Sequence, residues 1–454
     1  VTHQKILAKR IMNIDQLKTK ACLSIDERRD EIISIGETIL RNPETGFREF
    51  NTERLVSETF SSLGLKPESG LAITGVKATL ESKTNGPTIA VIGELDSLFI
   101  PDHPFADPIT GAAHACGHNA QIAGMIGAAI GLIDGKIANN LAGNISFIAV
   151  PAEEMIEVGY RMGLRDQGKI EFLTGKAEFI RKGYFDDINM ALMCHTKNDQ
   201  IASHVADSSN GAIIKKIRFL GKAAHAGSIP QVGINALNAA NLAMTAIALQ
   251  RETFYDEDTI RIHPIITKGG DSVSAVPAEV IIETFVRGKT LEGIIDANAK
   301  VDMAVKGAAM AIGATVDIET TPGYLPQTNN LAMSKLWGEN VRSIYGDDQF
   351  FIGEHRTGST DMGDLGHIMP VTHPYIFGAT GVGHGNDYLL NDKDAVYINM
   401  AKLLTMTVID LLGDNAQKGT AILREQRPKM TKDQYLEFNR DLMSGGVFND
   451  KEAS

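Results

Sequence analysis

Asn144-Ile-Ser-Phe-Ile-Ala-Val-Pro-Ala-Glu-Glu154 decides how this chain folds, because a short apolar run stops at a proline and is followed by two adjacent carboxylates. Such a run reads as a strand buried on both faces, the kind that parallel sheets use. Glutamates are ordinarily solvated surface residues. Here the buried strand would deliver both to a cleft. Neighbouring side chains at a strand end point in different directions, so one of Glu153 and Glu154 can bind a metal while the other stands beside a reacting water.

Working outward, similar strands are expected at 88–95 and 188–193, with helices at 121–133 and 169–181 between them. That alternation predicts an α/β fold with a mainly parallel central sheet and helices on both faces. Asp96, Glu153, Glu154 and His195 then all lie at or just past the carboxyl ends of strands, the edge that holds active sites in open α/β sheets. Ser24-Ile-Asp-Glu27 reads as a capping box opening a helix to about residue 40, which Asn42-Pro43 ends. From about Gly211 the rhythm becomes strand, helix, strand, strand, helix, strand, the order of a ferredoxin-like α+β unit. The expected division is therefore one domain made of 1–210 and 322–454, with an inserted second domain over 211–321. Thr321-Pro-Gly-Tyr-Leu-Pro326 reads as the return linker. A helix at 331–344, a strand at 371–377 and a helix at 394–412 complete the first domain. Beyond about Asn415 the sequence is polar with little periodicity and reads as a partly ordered tail.

The composition excludes some classes of function. With 454 residues, the chain exceeds the size at which one hydrophobic core keeps growing, which agrees with two domains. It carries 44 basic against 56 acidic residues, a formal charge of -12, and no basic cluster, so no nucleic-acid partner is expected. No stretch reaches the ~18 uninterrupted apolar residues of a membrane span. The first residues show no signal-type apolar core, and three cysteines make no disulfide framework. The expected location is cytoplasmic.

His114-Ala-Cys-Gly-His118 sets a thiol and an imidazole two residues apart, and Gly117 permits the tight path that turns both toward one space. A lone buried cysteine ordinarily reads as a small hydrophobe. The nearby histidine and the glutamate pair reverse that preference for Cys116. Cys194-His195 follows another apolar strand, and Gly383-His384-Gly-Asn-Asp387 lies in a glycine-rich loop, leaving His384 as a terminal ligand by elimination. Thiolate, imidazole and carboxylate together suit zinc or a similar divalent ion. Asp96 is expected behind a ligating imidazole, fixing its tautomer. His114 reads equally as such a supporting residue or as a structural one. The constellation points to a two-metal hydrolase.

Glu94-Leu-Asp96, His114-Ala-Cys-Gly-His118, Pro151-Ala-Glu-Glu154, Gly221-Lys-Ala-Ala-His225-Ala, Gly358-Ser-Thr-Asp361 and Asn42-Pro-Glu-Thr-Gly-Phe-Arg-Glu-Phe50 occur in the order seen in aminoacylase-like and carboxypeptidase-G-like metallopeptidases. Nearly the whole chain resembles their Cys-containing amidohydrolase branch, the hippurate, auxin-conjugate and p-aminobenzoyl-glutamate hydrolases. The resemblance implies a zinc-peptidase-like catalytic domain with an inserted lid that forms a dimer. It implies Cys116 as bridging ligand, His118, Glu154, His195 and His384 as the other ligands, and Glu153 as general base and then acid. It further implies that His225 reaches across a dimer to stabilise an oxyanion, and that Arg287 holds a substrate carboxylate; for Arg287 an ordinary surface ion pair is the alternative. Two positions depart from the branch. Asn119 replaces the usual Asp after Cys-Gly-His, removing a charge from behind the ligands, and Ser274 replaces a usual Asn that contacts substrate.

The expected activity is metal-dependent hydrolysis of the C–N amide bond of N-acyl or N-aroyl amino acids, with two divalent ions, zinc or manganese. Dipeptide hydrolysis on the same scaffold is the alternative, followed by hydrolytic deamination of an unusual small substrate and by non-catalytic binding. The expected partners are a small-molecule substrate and further copies of the chain, as a homodimer or higher homo-oligomer, with no membrane.

Overall fold

The computed structural model describes residues 12–449, so the reading of the extreme N-terminus lies outside the described residues. The chain forms two compact units, one comprising the chain up to Ala206 with Asn329–Gly353 and Met369–Pro428, the other comprising Asp207–Thr328, Glu354–Ile368 and the chain from Lys429 on. The expectation assigned 322–454 wholly to the first unit, and the compact units divide that stretch differently.

In the first unit a six-stranded sheet runs in the order Glu68–Leu71, Gly75–Leu80, Ile145–Val150, Ile89–Glu94, Met190–Leu192, Val371–Thr372. The last four are mutually parallel, and the first two join antiparallel. Ile89–Glu94 and Ile145–Val150 are buried at every position, which is why their sequences read as unbroken apolar runs. A smaller sheet sets Phe350–Gly353, Ser203–Ala206, Tyr375–Phe377 and His195–Lys197 side by side. The expected strand at 371–377 is therefore two strands, broken at His373-Pro374, where a proline cannot donate to a ladder.

The helix His118–Asp134 packs on the central sheet and against Ile14–Glu27, Arg29–Leu40 and Met400–Glu425. Its glycines make that crowding feasible: a Cβ at 124 would lie 2.7 Å from Met400 Sδ, at 127 2.6 Å from Ala401 Cβ, and at 131 2.8 Å from Ile25 Cγ1. The helical stretch Asp394–Glu425 is long and apolar enough to cross a membrane, but 89% of its apolar window is buried within the protein. Helical geometry breaks at Gly413, after which Asp414, Asn415 and Ala416 are left-handed, and it then resumes to Glu425.

The first helix begins at Ile14 and not at Ser24. Asn13 and Gln16 form the true capping box, while Ser24-Ile-Asp-Glu27 lies inside the helix, which is interrupted at Arg28.

The second unit places Glu279–Gly288, Gly211–Leu220 and Thr315–Tyr324 in one antiparallel sheet, with Arg261–Ile262 and Ile265–Lys268 both beside Glu279–Gly288. With the two short strands beside Glu279–Gly288 taken together as one, the sheet order is second, third, first, fourth. Alternate residues Val280, Ile282 and Val286 are buried, forming one core with the helices Ala236–Leu249 and Leu291–Ile312. Residues 321–324, expected as a linker, continue the last strand. The expected tail is ordered: Thr431 and Gln434 form a capping box for the helix Lys432–Leu442, and Ser444–Phe448 adds a sixth strand beside Thr315–Tyr324.

Gly127→Leu would force a side chain into the seam between two helices, and overpacking of this kind costs about 1–3 kcal/mol. Chemical denaturation should show a loss of that size; an unchanged midpoint would mean the seam is not close-packed.

Candidate functional site

The carboxyl ends of three strands of the central sheet, the turn Cys116–His118 and the later loop of His384 supply the chemistry of the first unit. Gly117 caps the helix His118–Asp134 with φ 96°, a conformation that side-chain-bearing residues rarely adopt. A Cβ there would overlap the Thr196 hydroxyl. Thr196 Oγ1 in turn donates to Cys116 O at 3.2 Å and shares a 2.8 Å hydrogen bond with Tyr388 OH. Because Thr196 follows His195, this contact draws the imidazole to Cys116, with Sγ to Nε2 at 3.1 Å.

Ligand atoms of Cys116, His118 and His195 lie within 4.8 Å of one another, as do those of Cys116, Glu154 and His384. The Cys116 thiol belongs to both groups. A third group of the same tightness joins Glu94, His118 and Glu153. Asp96 Oδ1, Glu154 Oε1 and His118 Nε2 are buried and make no hydrogen bond among the described residues, although each faces an ionisable partner. Sulfur, imidazole and carboxylate donors with coordinating capacity left over fit a pair of divalent ions.

Asp96 sits behind His118: its carbonyl lies 2.9 Å and its Oδ1 3.4 Å from Nδ1. Its other oxygen accepts the Glu154 N–H at 2.8 Å. Glu153 Oε2 is 4.0 Å from His118 Nε2, and His384 Nε2 is 3.3 Å from Glu154 Oε1. His384 adopts φ 65° in its loop.

Sequence reasoning left Glu94 without a role and missed Lys176. Glu94 Oε2 lies 3.0 Å from His118 Nε2, and its Oε1 takes a 2.5 Å contact from Lys176 Nζ, both groups fully buried. Gln121 Nε2 donates to the same carboxylate at 2.9 Å. Burial opposes its charge, yet Lys176 and His118 hold the Glu94 carboxyl well below the usual range. Burial likewise opposes a charge on His118, but Glu94 and Cys116 hold it well above the usual imidazole range. Burial, with Glu154 alongside, pushes the Cys116 thiol up. His195 is lowered to about 4 by burial and by the charge on His118. His114 is lowered to about 3, chiefly by burial, and neither ring nitrogen has a hydrogen-bond partner among the described residues. The sequence hint to Lys176 was its place just inside the helix Gly175–Lys182, but burial of a lysine is not legible from composition.

Asn119 does not stand behind the ligands. Its Nδ2 donates to Gly36 O at 3.2 Å and to Tyr397 OH at 3.1 Å within the core. An amide can donate to that carbonyl, whereas an ionised aspartate would only oppose it.

The second unit holds His225, Ser274 and Arg287. The exposed His225 pairs with Ala275 in an isolated β-bridge, which brings Ser274 beside it. Its Nδ1 accepts from Gly227 N at 3.1 Å and Ser228 N at 3.2 Å, so the ring proton belongs on Nε2. Ser274 Oγ is 2.8 Å from Ser272 Oγ. Arg287 has its guanidinium 5.1 Å above the Phe285 ring. Its ladder neighbour on the outer strand is Arg261.

The profile of Peptidase family M20/M25/M40 matches residues 90–409. The chain is 27% identical to a Xaa-Arg dipeptidase of Mus musculus over 93% of its own length and 95% of the relative's. It is 25% identical to the IAA-amino acid hydrolase ILR1-like 2 of Arabidopsis thaliana, covering 75% of each. Among solved structures, a dinuclear metal binding peptidase of the M20 family from Bacillus subtilis superposes with a TM-score of 0.63 at 20% identity, over 85% of this chain and 99% of that one. With the profile spanning most of its length, the chain belongs to Peptidase family M20/M25/M40, hydrolases of amide and peptide bonds.

Proposed function

We propose that this chain is a dinuclear metal-dependent amidohydrolase that releases an amino acid from an N-acyl or N-aroyl conjugate. The observation that carries the reading is the thiol of Cys116, common to two groups of ligand atoms, with the Glu153 carboxylate beside them. Cys116, His118 and His195 would hold one ion, and Cys116, Glu154 and His384 the other. When bound, such ions polarise a carbonyl and lower the pKa of a water molecule.

The remaining chemistry falls to the chain's own groups. Glu153 takes the proton of the attacking water and returns it to the leaving amine, the exchange a positioned carboxylate performs. Asp96 holds the His118 ring through Nδ1, leaving Nε2 for a ligand bond. His225, with its proton on Nε2, is suited to donate to the developing oxyanion. In the proposed homodimer that histidine comes from the other subunit. Arg287 and Ser274 are proposed contacts for the carboxylate of the amino-acid part, Arg287 because a guanidinium can hold a carboxylate through two parallel hydrogen bonds. The three free cysteines suit a reducing, cytoplasmic location.

A second reading is dipeptide hydrolysis, favoured by the similarity to the mouse Xaa-Arg dipeptidase along nearly the full length of both chains. N-benzoyl amino acids, aminobenzoyl-glutamate and dipeptides ending in arginine should therefore be assayed side by side on zinc- and manganese-loaded protein. Higher kcat/KM on the conjugates supports the amidase reading, and preference for dipeptides replaces it.

Chelation should abolish turnover, with zinc or manganese restoring it. Glu153→Gln should keep two metal equivalents per chain while kcat falls about 10²–10⁴-fold; an undiminished rate would remove Glu153 as the base. Mixing inactive His225→Ala with inactive Glu153→Gln should restore part of the activity, and a silent mixture would rule out a shared site.

A further inference from the structure

The turn Pro151–Glu154 aims two carboxylates in different directions from consecutive residues, and its backbone is not relaxed: Ala152 has φ 53°, in the left-handed region. Two residues flank Glu153, and both polar backbone atoms of each are held by a buried ionisable group. The Ala152 N–H donates to Glu49 Oε1 at 2.8 Å, and its carbonyl accepts from Arg161 Nη1 at 3.1 Å. The Glu154 N–H donates to Asp96 Oδ2 at 2.8 Å, and its carbonyl accepts from Arg161 Nη2. One guanidinium thus bridges the carbonyls on either side of Glu153.

Arg161 is 1% exposed and lies in the helix Val158–Asp166. Its third acceptor is Leu173 O at 2.9 Å, and its ring neighbour is Phe47 at 5.6 Å. Among the described residues no carboxylate lies within ion-pair distance of it, so its charge faces carbonyl dipoles alone. The planar fork suits this task, because two fixed donors can define the orientation of two peptide planes where a lysine would supply one point. The space is shaped for it: a Cβ on Gly46 would collide with Nη2 and lie 2.8 Å from Ala152 Cβ. Glu49, fully buried and holding the Ala152 N–H, also accepts from Thr74 Oγ1 at 2.6 Å.

We propose that Arg161 and Glu49 are a pair of positioning residues that fix the peptide planes around Glu153, so that its carboxylate and that of Glu154 hold their separate directions. The inference rests on Glu153 being the general base. Neither residue touches substrate in this scheme; both act through the turn.

The test is a double-mutant cycle on metal-loaded protein. Arg161→Lys keeps the charge but not the fork, and it should lower kcat about 10–100-fold, the scale expected of a small misplacement of a reacting group. KM should change by less than about 3-fold. In a Glu153→Gln background the same substitution should change kcat by less than about 2-fold, because the group it positions is gone. Metal content and the thermal transition report how much of the protein is folded and loaded. Wild-type kcat per folded, loaded site in Arg161→Lys overturns the proposal, as do losses that multiply in the double variant. If Arg161→Lys does not accumulate folded, Glu49→Gln carries the same cycle from the other side of the turn, with the same two overturning results. Should Glu153→Gln alone leave the rate intact, the base assignment fails, whatever the cycle shows.

Discussion

Contact between Gly117 and Thr196 is the constraint on which the metal-binding geometry depends. With no Cβ at 117 the chain can lie directly against the residue after His195, and the thiol before the glycine meets that imidazole at 3.1 Å. The residue after the glycine opens a helix whose own glycines let three other helices crowd in. One missing carbon atom therefore couples the placement of Cys116, His118 and His195 to the packing of the core. A side chain at 117 would have to push the two strands of chain apart, and the donor atoms with them.

Around that contact lies an arrangement of buried charge that is costly unless every member is matched. Lys176 neutralises Glu94, Glu94 faces His118, and His118 is backed by Asp96, whose second oxygen secures the Glu154 backbone. The two carboxylates Asp96 and Glu49 feel one another: Glu49, raised by burial and by Asp96, reaches about 8. A divalent pair would reverse much of this, since positive ions among these groups favour the thiolate and the ionised carboxylates.

Much of this was legible in the sequence where one physical signal dominated. The strands Ile89–Glu94 and Ile145–Val150 read correctly because burial on both faces leaves no polar alternation. The strand and helix rhythm after Gly211 is likewise legible, and its second helix, Leu291–Ile312, is marked at both ends by Thr290, which caps its start, and the left-handed Gly313. Ser24-Ile-Asp-Glu27 misled, because a capping pattern carries no information about whether a helix is already under way. The same pattern at Thr431-Lys-Asp-Gln434 was overlooked in a stretch that composition made look loose. Metal-ligand candidates stood out by residue type and strand-end position. Glu94, Lys176, Glu49 and Arg161 did not, since charged residues are usually solvated and only tertiary structure shows them sealed inside.

The partners of the turn at Glu153 differ in how far along the chain they must travel. Arg161 meets Ala152 and Glu154 from nine and seven residues away, whereas Cys116 and His195 are 79 residues apart, and His384 joins Glu154 from another region of the chain. Closing a long loop costs more conformational entropy than closing a short one, if only logarithmically. The Arg161 fork on the carboxylate turn can accordingly form from local sequence, and the turn's other partners, Glu49 and Asp96, lie earlier in the chain, while the ligand group of Cys116 and Glu154 waits for the loop that carries His384. Of the two groups of ligand atoms that share Cys116, the one made with His118 and His195 is therefore complete in the growing chain long before the one that needs His384.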